Sequence, residues 1–276
     1  MIKRMSLFNV LSLILGFGFL YLPILLLIIF SFNESRLVTV WAGFSTKWYA
    51  TLLENEAILR AAGVTLRVAV VSSTLATILG TMAGFAMSRF GAFRGRTLFN
   101  GMIYAPLVMP EVITGLSLLL MFVAISLDRG FVTITLAHIT FSMCYVAVVV
   151  QSRLSSFDQS IEEAALDLGC TPLKTFFQIT LPVIMPAVAS GWLLSFTLSL
   201  DDLVIASFTS GPGATTLPMK IYSQMRLGVT PEINAISTIL IGIVSVGVVI
   251  TSILHKRRQA QRERDERLAI EQPAFN

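Results

Sequence analysis

Long uncharged runs alternate with short polar segments along the chain. The runs cover 5–33, 68–88, 130–152, 175–200 and 233–254, and another, 97–127, is interrupted only by Glu111. Each reaches the ~20 residues that a helix needs to cross ~30 Å of hydrocarbon. The pattern predicts an all-α integral membrane protein in one domain. Its six transmembrane helices fall near 9–31, 64–88, 98–126, 131–152, 183–208 and 234–254. They leave a polar loop at 153–182 and a tail at 255–276.

Composition agrees. Charged residues are 13% of the 276, against roughly 25% in soluble domains. Lys3 and Arg4 precede the first run, which resembles the start of a signal peptide. That apolar run outlasts the roughly 7–15 residues expected of one and ends on no small-x-small cleavage site, so it reads as a retained anchor. Cys144 in a span and Cys170 in a loop give neither a disulfide framework nor a metal set.

Lys and Arg set the orientation. Placing both termini in the cytoplasm puts thirteen cations inside and six outside, with Arg67 at the head of the second span. The net charge of +4 therefore concerns topology rather than nucleic acid. Loop 153–182 becomes cytoplasmic, yet it carries four acids against two bases. A surface that gives up positive charge on that side suits a basic partner.

The loop predicts two short helices. Ser160 followed by Glu163 has the spacing of a capping box. Gly169 suits the left-handed position that ends a helix. Thr171 as N-cap with Pro172 behind it starts another, and Leu181-Pro182 stops that one. The result is a helix–turn–helix knob on the membrane face.

Glu163-Ala164-Ala165, then Gly169, then Ile179, Leu181 and Pro182 also match a longer signature: EAA, three residues, Gly, nine residues, I-x-L-P. This resembles the permease subunits of binding-protein-dependent ABC importers. Segments 107–115 (LVMPEVITG), 191–210 and 217–234 are similar to the polyamine branch, in particular the second permease of putrescine importers. The resemblance implies a type I importer permease in the bacterial inner membrane. Its knob, through Glu163, Ala164, Ala165, Gly169 and Pro172, would dock on an ATPase. It further implies a second homologous permease subunit, an ATPase dimer holding ATP and magnesium, and a periplasmic polyamine-binding protein.

Intramembrane acids offer an independent check. Glu111 lies about eleven residues into its run, roughly 16 Å deep at 1.5 Å per residue. Asp201 and Asp202 sit in the outer part of the fifth span. A charge in a membrane costs about 2.5–3.5 kcal/mol even on the lenient insertion scale, so it faces a cavity or a partner. Three acids against one marginal base, Arg67, would be balanced by a cationic substrate. Glu111 has a second reading, in which it serves backbone freed by Pro106 and Pro110. One aspartate can line a path while its neighbour fixes backbone. Tyr104, Trp192 and Phe196 are candidate walls. The stripe Thr135, His138, Ser142, Tyr145 faces the bundle interior, and Gly80-x-x-x-Gly84 allows close helix approach.

No G-x-x-x-x-G-K-[ST] loop is present, so the chain supplies no ATP site of its own. No catalytic constellation or metal-ligand cluster stands out either, which sets aside a membrane enzyme. Three alternatives remain open at this level: a spermidine permease, a permease for another small solute, and a proton-coupled secondary transporter.

Overall fold

The computed structural model describes residues 6–36, 40–227 and 231–243, with four single positions beyond, up to Ile253. Two compact units separate. One combines residues up to Asn55 with those from Gln224 onward; the other is Glu56–Ser223.

In the first unit, α1 (Leu7–Ser31) is long and apolar enough to span, and none of its most apolar window is buried. Beyond α1, the Asn33 side chain donates to Val40 O (2.7 Å) and accepts from Ala42 N (2.9 Å). The indole of Trp48 donates to Asn33 O at 2.7 Å. Trp48 is the second residue of α2 (Lys47–Glu54) and is buried.

The second unit is built on α3 (Glu56–Arg89) and α6 (Phe131–Ser155), both long enough to span. Gly80 and Gly84 let them touch. A Cβ on Gly80 would sit 2.6 Å from Val146 Cβ, and one on Gly84 would sit 2.7 Å from Ala147 O. The expected small-residue contact is thus the central seam of the unit. Against it lies α9 (Leu181–Asp201), whose Gly191 would place a Cβ 3.1 Å from Val146 Cγ1. Val146, Val150, Leu154 and Ile184 form the buried cluster where these helices meet.

Four helices satisfy the length and hydropathy of a span among the described residues, or five if a bent pair counts as one. That pair is the expected third span. It is split into α4 (Arg96–Val108) and α5 (Glu111–Ala124), bent by 119°. The cause is Pro110, which forces Met109 into extended backbone (φ −77°, ψ 139°). A straight-helix depth for Glu111 therefore does not apply. The sixth expected span is described only as the helix α12 (Pro231–Ile243) and single positions past it. Lys3, Arg4 and the tail 255–276 lie outside the described residues.

The fifth span differs at both ends. Leu181-Pro182 does not stop the preceding helix. The helix α8 (Pro172–Thr175) passes through a π turn, Phe176–Thr180, into α9, giving one helical run Pro172–Asp201. Pro182 has no N–H to return one turn back, and the chain absorbs the mismatch as a wider turn. At the other end the helix breaks after Asp201 and resumes as α10 (Val204–Thr209). The loop's first helix is α7 (Ser160–Asp167), and α11 is Leu217–Leu227.

Candidate functional site

Two places collect the sequence's candidate residues. The first is the knob of α7, the turn at Gly169, and α8. Gly169 takes φ +85°, and nothing lies within 4 Å of where its Cβ would stand. A side chain there would be strained by backbone conformation, not by crowding. Thr171 caps α8, its hydroxyl accepting from Lys174 N at 3.4 Å, with Pro172 at the helix start. The Ser160–Glu163 box does not form. Ser160 is already the first helical residue, and its N–H donates to Asp158 Oδ1 at 3.0 Å. Those hydrogen bonds from Ser160 hold the exposed Asp158 carboxyl below the usual aspartate range.

Released from capping, Glu163 is exposed, with Ala164 and Gly169, while Ala165 is buried. Leu168 and Leu173 are 87% and 70% exposed. The knob therefore offers an acid flanked by apolar side chains to whatever it meets.

Its root is held by a residue that the motif does not contain. Glu162 is buried; one oxygen pairs with Arg89 Nε at 2.6 Å, and the other accepts from Thr180 Oγ1 at 2.6 Å. Arg89 also donates to Leu154 O at 3.4 Å and lies over the Phe157 ring. Sequence reasoning missed this junction, since 73 residues separate Arg89 from Glu162. The one available signal was an acid placed among alanines on a helix face that must be covered.

The second place is the break between α9 and α10. Asp202 accepts from Ile205 N (3.2 Å) and Ala206 N (2.7 Å), capping α10. It also meets His138 Nε2 at 3.1 Å. His138 Nδ1 lies 2.6 Å from Ser199 Oγ, which in turn accepts from Ser72 Oγ at 3.2 Å. With Asp202 ionised, Nε2 carries the proton and donates to it, and Nδ1 accepts from Ser199. One directed chain of hydrogen bonds then joins α3, α6, α9 and α10. His138 is an interior, hydrogen-bonded histidine, as its place in the polar stripe of α6 predicts.

Asp202 thus fixes backbone, and Asp201 is left exposed at the end of α9. Neither aspartate pairs with Arg67 among the described residues, where Arg89–Glu162 is the buried ion pair and His138–Asp202 a buried hydrogen bond. Glu111 is exposed in the first turn of α5, where the helix dipole favours a negative charge. The elements carrying these acids pack together: Leu118 and Phe122 of α5, Phe141 of α6 and Ile205 of α10 form one cluster, with Leu198 of α9 against it. Tyr104 OH donates to Gln151 (2.9 Å), and Trp192 stacks on Phe196 while donating to Thr74 (3.2 Å). These aromatics are engaged with their own chain.

Membrane-length helices on a close-packed glycine seam, with a knob in the loop between two of them, define a multi-pass α-helical membrane protein. The family described as "Binding-protein-dependent transport system inner membrane component" matches residues 76–262. The "Putrescine transport system permease protein PotI" of Escherichia coli (strain K12) is 59% identical over 263 residues, 93% of this chain and 94% of that protein. The "Spermidine/putrescine transport system permease protein PotC" of the same strain is 44% identical over 241 residues, 87% and 90% of the two chains. A chain of a bacterial alginate ABC transporter, solved with its pentasaccharide-bound periplasmic protein, superposes with a TM-score of 0.69. At 18% identity, covering 91% of this chain and 93% of that one, the likeness is one of fold. The chain belongs to the family of binding-protein-dependent transport system inner membrane components. The resemblance carried by the EAA loop and the all-α permease fold are both borne out.

Proposed function

We propose that this chain is one of two permease subunits in an ATP-driven putrescine importer of a bacterial inner membrane. The observation that carries the reading is its 59% identity, across 93% of its length, to a putrescine transport permease. Both termini lie in the cytoplasm, and the α7–α8 knob docks on an ATPase dimer that holds ATP and magnesium. A periplasmic polyamine-binding protein delivers the cargo to the outer segments.

Within the membrane the reading assigns Glu111 and Asp201 to the cation's path. Both are exposed on the single chain, and a diammonium cargo supplies the charge that makes two carboxylates tolerable there. Asp202 supports the break beside them. Glu163, unpaired among the described residues, faces the ATPase, with Ala164, Ala165, Gly169 and Pro172 shaping the contact.

The test is to purify the chain from native membrane with its partners and identify what the copurifying binding protein captures. Putrescine, together with a nucleotide-binding subunit, is the expected result. Capture of anions alone, or transport by the isolated chain under a proton gradient, overturns the proposal. The 44% identical spermidine/putrescine permease favours a second reading, in which spermidine is also carried; competition between the two polyamines for uptake separates them.

A further inference from the structure

The helix α7 has little apolar grip on the rest of its unit. Of α7, only Ala165 and Glu162 are buried, and Ile161 and Leu166 are 48% and 43% exposed. What fixes α7 is the Glu162 carboxylate, and its two oxygens go to different helices. Oε2 meets Arg89 Nε, on the last residue of α3, at 2.6 Å. Oε1 accepts from Thr180 Oγ1, at the end of the π turn under α9, at 2.6 Å. Through Nη1, Arg89 also reaches Leu154 O in the last turn of α6 at 3.4 Å, a carbonyl that accepts from Phe157 N as well.

The paired side chains are only 11% and 10% exposed, so water screens them weakly. Arg89 Nη2 is buried without a partner, so losing the carboxylate leaves a largely unanswered charge. A pair that served stability alone could sit anywhere along α7. This one stands where three membrane helices end, and the π turn brings Thr180 to its second oxygen.

We propose that Arg89, Glu162 and Thr180 form the mechanical joint through which displacement of α7 reaches α3, α6 and α9 together, with Glu162 as the positioning residue. The joint rests on the coupling role proposed above for the knob. It divides the labour of two adjacent acids. Glu163 meets the driving partner, and Glu162, one residue back on the buried side, passes the movement inward. Gripped by three helix ends, the knob moves them as a set instead of hinging on its own turn.

The experiment uses the full complex, with partner permease, ATPase and binding protein, reconstituted in vesicles. It reads ATP hydrolysed per putrescine imported, on preparations of full subunit stoichiometry. Arg89→Gln and Glu162→Gln are expected to raise that ratio by about fivefold or more, the lower range of coupling between linked sites. The double exchange Arg89→Glu with Glu162→Arg is expected to bring it back toward the parent ratio. Assembled single variants with the parent ratio overturn the joint. Where a charge variant does not assemble, Thr180→Val, isosteric and uncharged, decides: a raised ratio supports the joint and a parent ratio overturns it. Glu163→Arg separates this from the wider reading. If Glu163→Arg uncouples and the joint variants do not, only the joint falls; if Glu163→Arg leaves transport intact, the docking role of the knob falls.

Discussion

The knob root and the α9–α10 break use the same parts for different purposes. Each buries a carboxylate against a basic side chain and one further set of donors. At the root, Glu162 meets a guanidinium that is always charged, and it bonds two helices beyond its own. At the break, Asp202 meets an imidazole that can be neutral, and two of its hydrogen bonds return to the next turn of its own chain. The first arrangement ties the ends of separate elements together. The second lets a helix end inside the unit without orphaned N–H groups. An intramembrane acid is therefore not a cargo ligand by default, and its hydrogen bonds say which kind it is.

Removing one half of each arrangement sharpens the contrast. Glu162→Ala leaves Arg89 buried and uncompensated, at a cost of about 3–5 kcal/mol. It should show as the largest loss of thermal stability in detergent, with the knob becoming protease-sensitive. Gly80→Val disturbs neither arrangement but wedges the seam that carries both. Overpacking costs about 1–3 kcal/mol or more, and a proposed Cβ position 2.6 Å from Val146 places it at the upper end. Its readout is loss of folded yield.

Asp202→Asn keeps one acceptor oxygen where Oδ1 and Oδ2 accept separately from Ile205 N and Ala206 N, and it weakens the bond to His138. Hydrogen bonds to charged groups contribute about 1.5–3 kcal/mol, so stability should fall by that order. Asp201→Asn, one residue earlier and exposed, should leave the melting temperature in place and lower putrescine uptake. Equal effects at both positions would erase the distinction between structural and path-lining acid. Asp158→Ala should have the smallest effect. The Asp158 carboxyl is held low by Ser160, so its contribution is present above the ordinary aspartate pKa of about 4 and is lost as pH falls through the depressed value. Hydrogen exchange at the start of α7, compared between neutral and acid pH, checks it.

Legibility varied with the range of the interaction. Gly169 and the Thr171–Pro172 start were readable because a turn and a cap are settled within four residues. The supposed Ser160–Glu163 box failed at the same range, because Asp158 took the Ser160 N–H and began the helix earlier. Pro110 was visible as a breaker, yet the 119° turn it introduces was not. A missing donor says where a helix yields but leaves its new direction to packing. The break after Asp201 carries no proline or glycine at all; Asp202 creates it by capping α10.

By itself the sequence determined that this chain lies in a membrane, that its helices close on small residues at Gly80 and Gly84, and that a capped loop stands between its fourth and fifth apolar runs. Those follow from hydropathy, residue size and local hydrogen bonding, which depend on near neighbours alone. Only the tertiary structure decided that Glu162 rather than Glu163 roots the knob, that Asp202 is bound while Asp201 is open, and that His138 joins four helices. Each of those depends on which distant side chain arrives within about 3 Å, and a carboxylate's role changes with its partner.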